Sequence, residues 1–254
     1  MRPSVTERRD MIIALLSENE ALSAAELSER LDVSVQTVRT DLRDLDEAAL
    51  VQRRNGRAWL RQQSENIGYL PREGIARQEK QRIALAVKGL IPDGARVALG
   101  TGTTVETCAR FLSSHRDLFV ASNSIHAVCA LQQAPGVAVE LAGGTVRMRD
   151  LDMIGTAALE FFAKYRVDFA VFSCGGLSEA GGVMDYNAEE VTARKAIAAC
   201  AKTRILVMDS TKKGLDLAFQ MGQVWEVDVV VTGAKLSTSV MESCARQECQ
   251  VIQV

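Results

Sequence analysis

The sequence predicts an α/β protein in two parts, a small helical module ending in a hairpin and a larger, mostly parallel βαβ domain. Three observations predict it. Residues 6–60 hold three short helical patterns and then Asn55-Gly56 between two strand-like runs. From Ile75 onward, short β-rich runs alternate with helical ones. Between them, residues 61–74 are polar and aperiodic, with two glycines and a proline. The expected organisation is residues 1–60, a linker over 61–74, and a second domain over 75–254.

Composition narrows the function classes. With 254 residues, 47% hydrophobic and 24% charged, the chain has the make-up of a globular protein with a sizeable core. Apolar runs stop at six residues (Met11 to Leu16, Ala196 to Ala201), too short for a membrane helix. The first ten residues lack an apolar leader core, so a cytoplasmic protein with no membrane partner is expected. Six cysteines without Cys-x-x-Cys spacing read as reduced, mostly buried thiols. Two histidines, His115 and His126, give a metal site or a histidine relay little to work with, and no metal or cofactor is expected. Aromatic residues, at 5%, are too few for base-stacking platforms.

The first helix is expected near Thr6–Glu18, with Met11, Ile12, Leu15 and Leu16 at helical spacing. Ser23-Ala-Ala-Glu26 is a capping box that opens a second helix ending near Arg30. Leu31-Asp32-Val33 makes a short turn, and Ser34 caps a third helix running to about Ala48. On that helix Val38, Leu42, Leu45 and Ala49 share one face. Gln36, Arg39, Thr40 and Arg43 share the opposite face, with Ser34 and Thr37 at the start. Amide, hydroxyl and guanidinium groups on an exposed helix face are what reading base edges and phosphates requires. Val51-Gln-Arg-Arg54 and Arg57-Ala-Trp-Leu60 flank Asn55-Gly56, a strong hairpin signal. The pattern is that of a winged helix-turn-helix bound to double-stranded DNA, with Arg53, Arg54 and Arg57 at the tip of the wing. Residues 1–63 carry ten arginines against eleven acids, yet the stretch holding Arg53, Arg54, Arg57 and Arg61 contains no acid.

In the second part a helix near Ile75–Leu90 leads to a strand at Arg96–Leu99. Further strands are expected at Leu118–Ala121, Val137–Leu141, Asp168–Ser173, Arg204–Met208, Val227–Thr232 and Gln250–Val254. In parallel sheets ligands bind beyond the carboxyl ends of the strands, and five of these ends carry small or polar residues. They are Gly100-Thr101-Gly102-Thr103-Thr104, Ser122-Asn123-Ser124, Ala142-Gly143-Gly144, Ser173-Cys174-Gly175-Gly176 and the run from Asp209 to Lys212 and Gly214. Glycines let backbone N–H groups approach an anion, threonines add hydroxyls, and a helix start favours negative charge. A small phosphorylated ligand is the expected occupant. Neither a Walker A loop nor a Gly-x-Gly-x-x-Gly fingerprint is present, which disfavours ATP and NAD.

The Gly-Thr-rich loop also resembles the phosphate loop of ribose-5-phosphate isomerases. An isomerase would need a carboxylate base, for which Asp185, Glu189 and Glu190 are candidates, although acids after Asn187 also suit a plain helix start. No histidine lies near Cys174 in sequence to activate it, so a small buried residue is the expected role.

The whole pattern resembles the DeoR family of bacterial regulators. The motifs in the helix-turn-helix are Val33-Ser34, Thr37-Val38-Arg39, Asp41-Leu42 and Leu45. Those further on include Lys80 with Ile83-Ala84, Ile91-Pro-Asp-Gly94, Gly102-Thr-Thr104, Ser122-Asn-Ser124, Ala142-Gly-Gly144, Val167-Asp168, Gly175-Gly176 and Asp209 with Lys212. Two departures are Gly100, where many members have Asp, and Asn55-Gly56-Arg57-Ala58, where the family's wing has Gly-Gly-Ala. The resemblance implies a winged helix-turn-helix joined to a sensor domain like ribose-5-phosphate isomerase. It implies a non-catalytic repressor of a carbohydrate or glycerol-3-phosphate operon, a homodimer or homotetramer, released from DNA by glycerol-3-phosphate or a sugar phosphate. Gly102, Thr103 and Thr104 would hold the phosphate with help from Lys212. Asn123, Gly143, Gly144 and Asp185 would address the ligand's hydroxyls, with Gly100, Thr101 and Gly175 completing the site. An isomerase with a DNA-binding appendage and a constitutive DNA binder are the alternatives.

Overall fold

A computed structural model describes residues 3–19, 21–47, 50–60 and 69–254, and its contacts divide the chain into residues 1–78 and 79–254. In the first unit, helix α1 (Val5–Glu18) opens on a capping box between Ser4 and Glu7. Strand β1 (Leu22–Ser23) follows, then α2 (Ala24–Leu31), opened by the expected Ser23–Glu26 box. Asp32, in the left-handed conformation, ends α2 and turns the chain into α3 (Val35–Glu47). Ser34 Oγ accepts the Thr37 N–H at 3.1 Å, as a cap should. Strands β2 (Val51–Arg54) and β3 (Arg57–Leu60) form the wing across Asn55 and Gly56, both at positive φ as a type I′ turn demands. The two-residue β1 adds a third strand, pairing Leu22 with Ala58, that the sequence did not reveal.

Ile12, Leu16, Leu27, Val38, Leu42, Leu45, Val51 and Ala58 make one apolar core. Ala49, expected beside them, lies outside the described residues. One polar contact pins the core together. Asp41, buried on the inner side of α3, accepts Arg8 Nε at 2.5 Å and Arg8 Nη2 at 3.1 Å, and Arg9 Nε at 3.3 Å. A buried carboxylate is tolerated only when paired in this way, so α1 and α3 are locked in one arrangement.

Most of the expected linker, residues 61–68, lies outside the described residues. Beyond it the chain is helical sooner than expected, as α4 (Tyr69–Glu73). Ile75, expected to begin the next helix, packs in the core of the first unit instead. Helix α5 (Arg77–Leu90) starts two residues later, after Ala76 takes a left-handed turn that breaks the helix.

The second unit continues with β4 (Arg96–Leu99), α6 (Thr103–Leu112), β5 (Phe119–Ser122), α7 (Ile125–Ala130), β6 (Ala138–Leu141), α8 (Thr156–Phe162) and β7 (Val167–Phe172). Next come β8 (Gly176–Leu177), β9 (Gly182–Asp185), α9 (Ala188–Ala199), β10 (Ala201–Met208), β11 (Phe219–Gln223), β12 (Val229–Thr232), α10 (Thr238–Arg246) and β13 (Gln250–Gln253). Seven strands form one sheet in the order β13-β12-β10-β7-β4-β5-β6, every neighbour parallel. Alternate residues point to opposite faces. Val97, Leu99, Val120, Val171, Ile205 and Val207 pack with α5 and α6, whereas Ala98, Ala170, Phe172, Leu206 and Met208 pack with residues of α8, α9 and α10. A second, antiparallel sheet in the order β11-β9-β8 was not expected, because its strands are short and glycine-punctuated. Gly176 lets the segment before β11 pack directly on β8, since a Cβ there would stand 2.5 Å from the Leu215 carbonyl oxygen.

All six cysteines are free thiols and five are buried. Burial pushes Cys108 and Cys174 up to about 12 and Cys200 to about 11.

Two predictions follow from this packing. Replacing Asp41 by Ala leaves two arginines without their shared partner and costs the first unit about 3 kcal/mol. The measurement is amide exchange in α1 and α3 of the full chain, and protection equal to wild type would disprove the pinning. At pH 8, a thiol with a pKa near 12 is ionised in roughly one molecule in ten thousand. Brief iodoacetamide treatment followed by mass spectrometry is therefore expected to label exposed Cys129 well ahead of Cys108 and Cys174, with all six reacting in urea.

Candidate functional site

The outer face of α3 is open. Gln36, Arg39, Thr40 and Arg43 are exposed, and Ser34 and Thr37 meet through their hydroxyls at 2.8 Å. Thr40 Oγ1 donates to the Gln36 carbonyl, which fixes its rotamer. Arg43 reaches Asp44 at 3.4 Å and Glu47 at 3.8 Å, contacts that a surface side chain exchanges readily. On the wing, Arg53 and Arg54 project into solvent. Arg57 does not stand free beside them. Its Nη2 donates to the Ala21 carbonyl at 2.9 Å and lies 3.4 Å from Glu26, bracing the wing on α2.

In the second unit all the expected loops of the large sheet emerge at its carboxyl edge. The strand order reverses between β4 and β7, since the chain runs outward through β5 and β6 and then returns to the other side of β4. The loops after β4 and β7 diverge there, and such a reversal is where an open parallel sheet offers a crevice.

After β4, Gly102 takes φ +112 and ψ 155, a conformation nearly confined to glycine, and starts α6. No side chain caps this helix, so its first N–H groups remain available beside the buried Thr103 and Thr104. Gly100 sits below, where a Cβ would press at 3.3 Å on Ile197 and Phe172, and Thr101 is half-buried. After β5, Asn123 is fully buried. Its Nδ2 donates to the Met153 carbonyl at 2.7 Å, while its Oδ1 has no partner among the described residues. After β6, Gly143 and Gly144 are exposed, with Gly144 at φ +117. After β7, Gly175 admits the Asp185 carboxylate, which would lie 2.9 Å from a Cβ.

After β10, Asp209 caps a 3₁₀ turn over Ser210–Lys212, and Lys212 is buried. Buried Lys80, from α5, stands 4.0 Å from Asp209. Burial pushes the Asp209 carboxyl up, but the charges of Lys80 and Lys212, with hydrogen bonds from Thr211, outweigh it and hold it below its ordinary value. Glu79 accepts Ser210 N at 2.6 Å and Ser210 Oγ at 2.7 Å. Burial and the charge of Asp209 nevertheless push the Glu79 carboxyl up.

Asp185 ends β9 of the small sheet and is bound by Arg194 Nε. Arg194 also donates to Glu190 at 3.2 Å. Glu190 accepts Arg147 Nη1 at 2.7 Å, and Arg147 grips Asp152 with two bonds of 2.9 and 2.7 Å. Burial raises the Glu190 carboxyl, yet the flanking guanidiniums win and hold it well below the carboxylate range. Asp185, deeper and with Glu190 beside it, is pushed up by burial despite Arg194. The sequence reading missed Arg194 and the bridging role of Arg147. The available signal was the Glu190–Arg194 spacing of four on one helix. Among the described residues, no group of three or more His, Cys, Asp or Glu side chains is placed to hold a metal ion, and no helix is long and apolar enough to cross a membrane.

Comparison with known proteins accords with this arrangement. Residues 8–64 match the DeoR-like helix-turn-helix domain and residues 75–234 the DeoR C-terminal sensor domain. The glycerol-3-phosphate regulon repressor of Escherichia coli is 34% identical over 93% of this chain and 94% of its own. The transcriptional repressor CsqR of the same organism is 36% identical over 89% of this chain and 86% of its own. Among solved structures, ribose 5-phosphate isomerase A of Methanocaldococcus jannaschii is similar over 53% of each chain, at 18% identity and a TM-score of 0.37. On these matches, which span both units, the chain belongs to the DeoR family of helix-turn-helix regulators.

Proposed function

We propose that the protein is a transcriptional repressor that leaves its operator when a small phosphorylated metabolite binds the carboxyl edge of the large sheet. The observation that carries the reading is the exposed face of α3, whose apolar side is buried and whose Gln36, Arg39, Thr40 and Arg43 are free to enter a major groove. Ser34, Thr37, Arg53 and Arg54 would contact backbone phosphates, and Arg57 would set the angle of the wing. Curated relatives over nearly the whole chain carry repressor names.

At the other site, the uncapped start of α6 suits a phosphate at Gly102, Thr103 and Thr104, with the charge of Lys212 added. Gly100, Thr101, Asn123, Gly143, Gly144, Gly175 and Asp185 would surround the rest of the ligand. Glycerol-3-phosphate is the first candidate, on the names of the relatives. An isomerase reading needs a carboxylate base within the site; Asp185 and Glu190 are engaged by arginines, and the third candidate, Glu189, is exposed in the first turn of α9. Two winged modules on a near-palindrome call for a homodimer or homotetramer. Release requires the effector to prefer the arrangement that does not fit DNA, and a 100-fold loss of operator affinity needs about 2.7 kcal/mol of such preference.

Two measurements test this. With DNA selected for binding from a random pool, Arg39→Ala is expected to lose about 1–3 kcal/mol of binding and to relax base preference, whereas Arg53→Ala is expected to lower the salt slope by about one. Undiminished binding by the Arg39→Ala, Arg43→Ala double variant would remove α3 from the interface. A ligand at 100 times its Kd adds about 2.7 kcal/mol and raises the melting temperature by a few degrees. Glycerol-3-phosphate or a sugar phosphate is expected to do so, with the unphosphorylated parents inactive. A flat response across three- to six-carbon phosphates would favour a constitutive DNA binder.

A further inference from the structure

The ionic network on α9 has one hydrogen-bonding position left over. Arg194 is buried, its Nε is taken by Asp185 and its Nη2 by Glu190, yet Nη1 has no partner among the described residues. A buried donor without an acceptor is costly and rare in a native structure. Its position suggests the missing partner. Ile197, one helical turn along the same face of α9, touches the place where a Cβ of Gly100 would stand, and Asp185 occupies the equivalent place at Gly175. Arg194 thus lies one turn from the glycines of the two loops that diverge at the strand-order reversal. The unpartnered Oδ1 of buried Asn123 lies on the next loop along the same edge. Arg147 links the two regions, since it holds both Glu190 and the Asp152 next to Met153, the partner of Asn123.

We propose that Arg194 is a specificity-determining residue of the effector site, donating through Nη1 to an uncharged oxygen, a hydroxyl or carbonyl, at the end of the ligand remote from its phosphate. The proposal rests on the effector-site reading given above. Charge decides which oxygen. Arg147, Arg149 and Arg194 face four carboxylates, Asp150, Asp152, Glu190 and Asp185, so the network has no positive charge to spare. A ligand carboxylate or second phosphate would add a buried anion with no counter-charge, whereas a hydroxyl or carbonyl oxygen costs nothing in charge. The ligand class is therefore a phosphorylated polyol, aldose or ketose, and phosphorylated sugar acids and bisphosphates are rejected.

The test is calorimetric titration of the full chain with two matched pairs of probes, glycerol-3-phosphate against 3-phosphoglycerate and glucose-6-phosphate against 6-phosphogluconate, with inorganic phosphate as reference. In at least one pair the neutral-ended member is expected to bind tenfold or more tightly than its acid. Arg194→Lys keeps a positive charge between Asp185 and Glu190 but lacks the third nitrogen of the fork. It is expected to weaken the neutral-ended probe tenfold or more while leaving inorganic phosphate and ligand-free DNA binding unchanged. Equal or tighter binding of the acids, or an unaltered Arg194→Lys, overturns the proposal. Should that variant not fold, the wild-type preference within the pairs decides alone. If wild type binds none of the four probes, the effector-site reading itself fails and takes this assignment with it.

Discussion

Parallel pairing is the constraint on which the second unit depends. Seven strands running the same way, buried on both faces, must send every connection across a face, so all their carboxyl ends emerge at one edge. Loops far apart in sequence, at Gly100, Asn123, Gly143, Gly175 and Asp209, become neighbours without any direct interaction having to recruit them. Because the strand order reverses at β4 and β7, the loops on either side of that point cannot cover each other. Glycine serves this edge in two ways: Gly100 and Gly175 admit close-packed neighbours, whereas Gly102 leaves open space at the start of α6.

Buried charge is concentrated along the same edge. Lys80, Lys212 and Arg194 would each be prohibitive alone in such surroundings; Asp209 offsets both lysines, and Asp185 of β9 offsets Arg194. The same pairing distributes the site over the fold. Arg147 ties the segment after β6 to α9. Glu79, at the start of the second unit, is held by the turn after β10 and packed so closely on Gly233 that a Cβ there would overlap its side chain. Under the proposed reading, a ligand phosphate drawing on Lys212 would compete with Asp209, which also pairs with Lys80 near Glu79 in the first turn of α5.

The sequence was most legible where local chemistry dictates local structure. The Ser23–Glu26 box, the Ser34 cap, the Asn55-Gly56 turn and the period-two and helical runs depend on neighbours within a few residues, and each element appears within about three residues of its expected bounds. Legibility ended where long-range pairing takes over. Leu22–Ser23 is a strand only because β3 offers it an edge, and β11 joins β8 and β9 in a sheet by antiparallel pairing with β9, far from it in sequence. The site followed the same division. Glycines and hydroxyls after strands could be read, since they answer to backbone geometry. Arg194 showed only as the Glu190–Arg194 spacing on one helix; its other partner, Asp185, comes from the end of β9, and Arg147 reaches Glu190 from a distant loop.

Charge sorting also explains how a module with more acids than arginines can present a face to DNA. Asp41 is consumed inside the module by Arg8 and Arg9, and Asp44 is shared between Arg9 and Arg43. Glu7 and Glu26 are spent on capping boxes, Glu26 also steadying Arg57. These acids lie behind or beside the outer face of α3, and no salt bridge to Arg39, Arg53 or Arg54 is present among the described residues. Net charge therefore says little about such a module. What matters is which side of α3 the carboxylates occupy, and burying Asp41 beneath it both fixes the helix and removes an anion from the surface that would meet phosphate.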